Sequence, residues 1–270
     1  TSLEVGLPNV SLDDVGTTRG VDNFSIRGLG ITASIPSIDP TVGVFVDGVY
    51  MGLNNGIVFD MFDLESIEVL RGPQGILFGR NVTGGAILLN TKKPGDELEF
   101  KLRAAADAGG EGGMNRYLLG AVGGPISDTF AAKLTAYYNE DDGWFKNLAT
   151  GNDHGAIKQL KIRPVIVWTP TDKLEITARY EYSDIDGDGP SSQSHTNGFG
   201  VDGSPISHNP DSFDYAIDEE GFQTNETHFF SLEIDWSVGA TGTITNIFGW
   251  RDYSGTALSD IDAQPVPFFH

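Results

Sequence analysis

Asp184-Ile185-Asp186-Gly187-Asp188-Gly189 places carboxylates at positions 1, 3 and 5 and glycine at position 6, the spacing of a calcium-wrapping loop. Position 12 is His195 where a bidentate glutamate is needed, and no amphipathic helices flank the segment, so a full EF-hand does not fit. Two readings stay open: a weaker calcium site ligated by Asp184, Asp186 and Asp188, and a solvated acidic turn. From Asp184 to Glu226 the chain has ten acids and no Lys or Arg, a stretch that repels anions unless a metal intervenes. Gly28-Leu29-Gly30-Ile31-Thr32-Ala33 matches a dinucleotide fingerprint, but Pro36 and Pro40 forbid the helix that a pyrophosphate site requires. There is no phosphate loop of the G-x-x-x-x-G-K-[ST] form. His154, His195, His208, His228 and His270 are scattered without metal-ligand spacing, and no serine has a nucleophile's setting. The expectation is a protein that is not an enzyme.

Composition narrows the class. The 270 residues carry 38 Asp and Glu against 17 Lys and Arg, a formal charge of −21, which argues against nucleic acid as a partner. The absence of Cys removes disulfides, thiolate metal sites and cysteine nucleophiles. No run of about 18 apolar residues is present, so no transmembrane helix is expected. A spanning β-strand remains allowed, because it hides its apolar residues in alternation. The 35 glycines are roughly twice the average share of about 7% and predict many turns and short strands. The chain opens on Thr1 without a leader and closes on an apolar run to His270, so an internal piece of a longer protein is expected.

The elements follow two grammars. Up to about Lys93 the chain reads as glycine-punctuated α+β: strands at Phe24 to Arg27, Val42 to Val46, Ser66 to Arg71 and Ala86 to Thr91, and a short helix after Pro73. Lys92-Lys93-Pro94-Gly95 is a boundary. From Leu98 onward long strands alternate with period two, as in Leu174, Ile176, Ala178, Tyr180 and Tyr182 against Lys173, Glu175, Thr177, Arg179 and Glu181. About seven such strands are expected, the weaker ones near Arg116 to Val122 and Thr243 to Tyr253. Tight turns, such as Thr169-Pro170-Thr171-Asp172, alternate with longer links at Ala108 to Asn115, Glu140 to Gly155 and Asp184 to Asn225. One face is apolar with Tyr138, Trp168, Tyr180, Tyr182, Trp236 and Trp250 towards strand ends. The other carries Lys, Arg, Glu and Asp. Short turns at one end, long loops at the other and aromatic girdles describe antiparallel transmembrane β-barrel strands. The competing reading is a soluble β-sandwich that binds a ligand such as carbohydrate, which strands of ten or more residues disfavour.

Specific motifs add a resemblance. Asp63-Leu64-Glu65-Ser66-Ile67-Glu68-Val69-Leu70-Arg71-Gly72-Pro73-Gln74-Gly75, then Leu77-Phe78-Gly79-Arg80-Asn81 and Gly84-Gly85-Ala86-Ile87-Leu88-Leu89-Asn90-Thr91-Lys92-Lys93-Pro94, resemble the plug of TonB-dependent outer-membrane receptors. Ser25-Ile26-Arg27-Gly28 and Val44-Phe45-Val46-Asp47-Gly48-Val49-Tyr50 resemble further plug elements. Gly124-Pro125-Ile126-Ser127-Asp128 resembles the family's first periplasmic turn.

The resemblance implies an α+β plug at 1–95 and an incomplete β-barrel at 96–270. A leading plug segment and TonB-binding box would precede Thr1, and about fifteen more strands would follow His270. It implies uptake of a scarce, bulky nutrient, most often a ferric siderophore, otherwise haem, cobalamin or oligosaccharide. The TonB energy-transducing complex, outer-membrane lipid and lipopolysaccharide would be partners, and no covalent cofactor is implied. Arg27 and Arg71 would meet glutamates of later wall strands, or bond within the plug to Glu65 or Glu68. Plug apices would present Thr32, Ser34, Ser37, Tyr50, Asn54 and Asn55 to the ligand. Calcium in the acidic extracellular loop remains an expectation beside these.

Overall fold

The computed structural model describes residues 9–15, 18–30, 40–52, 63–109, 113–190, 192–193, 198–199, 203, 205–206, 214–260 and 263–265. The N-terminal part contains β1 (Val10–Val15), β2 (Thr18–Ile26), β3 (Val42–Val46), β4 (Val49–Tyr50), β5 (Leu64–Arg71), α1 (Gly75–Phe78) and β6 (Gly85–Thr91). β1 and β2 form a hairpin, and β4-β3-β6-β5 form a mixed sheet in which only β3 and β6 run parallel. All five residues of β3 are buried, so this sheet is covered on both faces. One face packs Val44, Val46, Ile87 and Leu89 with Phe24 and Ile26; the other packs Phe45, Val82 and Ala86 with Leu70 and Phe78. The helix after Pro73 is a single turn and buries no residue. At Gly85 the sheet demands glycine: at φ +153° a Cβ would collide with the Leu70 carbonyl.

The second part is built on β7 (Glu99–Gly109), β8 (Gly113–Ser127), β9 (Phe130–Asp141), β12 (Ile157–Thr171), β13 (Leu174–Gly187), β17 (Phe222–Ser237) and β18 (Thr243–Leu258). They hydrogen-bond in that order as one seven-stranded antiparallel sheet that does not close on itself. Short strands lie in the connections: β10 (Phe145–Asn147), β11 (Asp153–His154), β14 (Gly198–Phe199), β15 (Pro205–Ile206) and β16 (Asp214–Tyr215). Seven strands in one sheet overturn the sandwich reading, because among the described residues no second long-stranded sheet packs on the first. Two expected links are shorter than the spacing suggested. β7 and β8 stay paired up to Gly109 and Gly113, and β13 and β17 stay paired through Gly187 and Gln223. The alternation weakens there because glycines and small polar residues replace apolar ones, while the backbone ladder needs no side-chain pattern.

The period-two pattern determines the two faces. Phe100, Leu134, Ile166, Phe248 and Trp250 are exposed on the outer face. Trp168 and Trp236 lie near the tight turns, whereas Tyr138, Tyr180, Tyr182 and Trp250 lie higher. At about 3.4 Å per residue and a tilt of about 45°, the rows of Trp236 and Tyr138 lie about 24 Å apart, the height of a lipid-facing band. Ile166 sits midway and is 41% exposed. Ile166→Arg should therefore cost about 2–4 kcal/mol when the full-length protein is unfolded from lipid vesicles by urea, whereas an exposed site in water would be near neutral. A change below about 0.5 kcal/mol would deny this face to lipid.

Candidate functional site

The opposite face of the wall points at the N-terminal part, and charge is concentrated where the two meet. Parity on β9, β12, β13 and β17 turns Lys133, Thr135, Lys161, Arg163, Arg179, Glu181, Glu175 and Glu233 inward as one block. Within the wall, Arg163 is bonded to Glu181 by Nε at 2.7 Å and by its terminal nitrogen at 2.5 Å. Lys161 reaches the same carboxylate at 3.0 Å, and Arg179 donates to Glu233 at 2.8 Å.

The N-terminal part adds two buried aspartates and a lysine. Asp63, directly before β5, ion-pairs with Lys133, accepts from the Thr135 hydroxyl at 2.6 Å and lies 3.8 Å from Arg163. Asp47, in the turn between β3 and β4, accepts from the Thr91 amide at 2.8 Å and lies 3.6 Å from Arg179. Its φ of +49° is tolerated because short Asp and Asn side chains suit the left-handed region. Lys93 donates to Glu175 at 2.8 Å and lies 3.5 Å from Glu233. Higher on the wall, Arg251 donates to the Met51 carbonyl at 3.0 Å. Ion pairs of this kind repay little beyond their desolvation cost, so they hold an interface in register without making it adhesive.

Apolar contact across the same boundary is sparse but specific. Among the described residues, Phe229 of β17 is the one wall residue in the larger core of the N-terminal part, and it is 4% exposed there. Beside it β18 comes so close that a Cβ on Gly249 would collide with Val49.

The residues expected from sequence lie as follows. Arg27 is exposed, its N–H donates to the Asn9 carbonyl at 2.9 Å, and Arg71 is half-buried at the end of β5. Among the described residues neither forms an ion pair, with Glu65, Glu68 or the wall. Glu65 and Glu68 are exposed, and Asn90 approaches Glu68 at 3.4 Å. The Tyr50 hydroxyl accepts from Asn81 at 3.0 Å while its ring packs 5.3 Å from that of Phe45. Thr32, Ser34, Ser37, Asn54 and Asn55 lie outside the described residues. Asp184 and Asp186 stand on the outward parity of β13, whereas Asp188 accepts the Gly155 and Ala156 amides at 2.9 and 2.8 Å. No group of three metal-ligating residues occurs among the described residues. Sequence reasoning missed Asp47, Asp63 and the whole wall block. The available signal was a set of charged residues at the inward parity of four neighbouring strands.

Beyond the wall, the two long links hold each other. Asn147, with no exposed surface, donates to the Ile217 carbonyl at 2.9 Å and to Glu220 at 3.0 Å, and accepts the Ile217 amide at 3.2 Å. Glu220 also accepts from Thr150 at 2.5 Å and Asn152 at 3.1 Å. Burial opposes its ionisation, but these hydrogen bonds outweigh burial and hold its pKa below the usual 4.5. A depressed carboxyl pKa adds stability above the ordinary value and loses it as pH falls through the lowered one. The protection of the Ile217 amide, its exchange rate relative to the free-peptide rate at the same pH, should accordingly stay high at neutral pH and fall below about pH 4.5, and Glu220→Gln should remove that pH dependence.

Comparison with known proteins agrees with this geometry. Residues 2–86 match the model of the TonB-dependent receptor plug domain. The chain is 30% identical over 194 residues to the ferrioxamine B receptor of Salmonella typhimurium, covering 67% of this chain and 24% of that one. It is also 30% identical over 149 residues to the pesticin receptor of Yersinia enterocolitica, covering 54% of this chain and 21% of that relative. The chain thus spans about a quarter of the length of the curated relatives it matches. The ferric yersiniabactin uptake receptor of Yersinia pestis superposes with a TM-score of 0.70 at 22% identity, over 93% of this chain and 38% of that one. The plug-domain match, these relatives and the shared fold agree, and the chain belongs to the TonB-dependent receptors of the bacterial outer membrane.

Proposed function

We propose that the full-length protein carries a ferric siderophore across the outer membrane, with the plug, residues 1–95, moved by the TonB complex against the wall that begins at 96. The plug–wall interface carries this reading. A domain that must leave a lumen and return needs contacts that fix position without strong adhesion, and buried ion pairs with one aromatic anchor meet that need. The relatives named for ferrioxamine B and ferric yersiniabactin support a siderophore as the cargo class. Thr32, Ser34, Ser37, Tyr50, Asn54 and Asn55 are the proposed plug contacts to ligand. For Asp184, Asp186 and Asp188 a solvated acidic turn fits better than weak calcium ligation, since the first two stand on the outward parity of β13 and the third is held by the Gly155 and Ala156 amides.

The test is radioactive iron uptake by an iron-starved host whose only receptor is the full-length protein, offered hydroxamate, catecholate and carboxylate chelates in turn. Uptake of at least one chelate that stops when TonB is deleted is expected. Uptake of none of them, or uptake that survives without TonB, would overturn the reading.

A further inference from the structure

We propose that the lumen face of β9, β12 and β13 holds an anion site, covered by the plug, which takes carboxylate-like oxygens of an anionic cargo once the plug is displaced. This rests on the transport reading, since only a moving plug uncovers it.

The charge balance of the block motivates the proposal. Four wall cations, Lys133, Lys161, Arg163 and Arg179, face two wall carboxylates, Glu181 and Glu233. The surplus of two positive charges is met by two plug carboxylates, Asp47 and Asp63. Lys93 of the plug pairs with Glu175 at 2.8 Å and lies 3.5 Å from Glu233, so its departure with the plug frees one wall carboxylate and leaves the bare wall a net surplus of one positive charge.

Distances separate permanent partners from removable ones. Arg163 and Arg179 are held by wall glutamates at 2.5–2.8 Å, whereas the plug aspartates stand 3.8 and 3.6 Å away. Arg179 is 5% exposed, and its Nε makes no hydrogen bond even with the plug in place. Asp63 is the carboxylate partner of Lys133, whose side chain is 9% exposed. When the plug moves, the wall–wall pairs keep both guanidinium groups fixed on rigid strands. The Lys133 ammonium, the Thr135 hydroxyl and the Arg179 Nε are then left as preorganised donors without acceptors. An oxyanion supplies charge and acceptors together, and a neutral ligand cannot offset the surplus. The plug aspartates thus occupy the place of the cargo's anionic oxygens. A negatively charged cargo lowers the cost of plug displacement by binding the face the plug has left.

The experiment uses the full-length receptor in a planar bilayer with the plug loosened by urea, and reads the open fraction as conductance. The probe is citrate, compared with its neutral triamide at equal ionic strength made up with chloride. A ligand that binds only the displaced state should raise the open-to-closed ratio about tenfold at about ten times its dissociation constant. Citrate should do this and the triamide should not. The charge-balanced D63N/K133Q variant should open in urea but lose the citrate response, whereas K133R should retain it. Equal action of citrate and triamide, or a citrate response unchanged in D63N/K133Q, would overturn the proposal. A receptor that never opens in urea would instead count against plug displacement, and so against the transport reading itself.

Discussion

Asp63→Ala in the full-length receptor is expected to weaken plug seating by about 3–5 kcal/mol, the cost of stranding a buried charge. The Asp63 side chain is 3% exposed and serves Lys133, Thr135 and Arg163 together, while its backbone carbonyl accepts the Lys92 amide at 2.9 Å. Without the carboxylate, Arg163 keeps Glu181, but Lys133 keeps only the Lys92 carbonyl at 3.1 Å. Asp47 makes an instructive contrast. Its shortest bonds go to Thr91 within the plug, and Arg179 keeps Glu233 at 2.8 Å, so Asp47→Ala should loosen the β3–β4 turn more than the seat. The Asp63 variant should show higher basal conductance in a bilayer and admit bulky hydrophilic antibiotics to cells that exclude them. Asp63→Ala/Lys133→Met removes both charges and should recover most of the loss, as buried pairs replaced together usually do. Wild-type conductance in Asp63→Ala would show that the seat does not depend on this charge.

The sequence displays the wall more plainly than the seat. Period-two alternation is local, so Leu174 to Tyr182 announces a strand and its two faces without knowledge of any neighbour. Plug motifs are equally local, and β3, β5, β6 and α1 lie within a few residues of their expected places. Seating is different in kind. Asp63 meets Lys133 seventy residues later, and Asp47 meets Arg179 across a still longer interval. Parity tells which wall side chains face the lumen, but the plug's rotation inside it is set by the sum of all contacts. Asp47-Gly48 is by composition a turn pair, and it forms the turn between β3 and β4, with nothing in the sequence to mark its carboxylate as a partner for Arg179. The resemblance directed attention to Arg27 and Arg71, whose expected glutamate partners belong to later wall strands, and among the described residues the charged seat on the plug side is carried by two aspartates and a lysine.

Phe229→Ala is the second substitution with a large expected effect, because among the described residues it removes the only wall side chain in the plug's larger core. On β17 the inward parity runs Phe229, Ser231, Glu233 and Asp235, and its cross-strand neighbours are Glu181 and Arg251. An aromatic ring in that row breaks the polar pattern, which was a readable sign of an apolar partner opposite. The partner is the face of the plug formed by Phe24, Ile26, Val44, Met51 and Ile87. Among the described residues no helix of the plug covers that face, since α1 is one exposed turn, and Phe229 of the wall packs on it. Truncation should cost about 3–5 kcal/mol through lost burial and the cavity left behind, and Phe229→Leu about 1.5 kcal/mol or less. Backbone amides of Val44 and Ile87 should then exchange faster together, because β3 and β6 are paired in register there. Phe230→Ala is the matched control, since its ring faces outward and packs 6.4 Å from that of Phe248. Equal protection of β3 and β6 in the two variants would mean that the plug completes its core without the wall. Faster exchange in Phe229→Ala alone would mean that each displacement of the plug opens its own core to water, which ties the return of the plug to the recovery of this one contact.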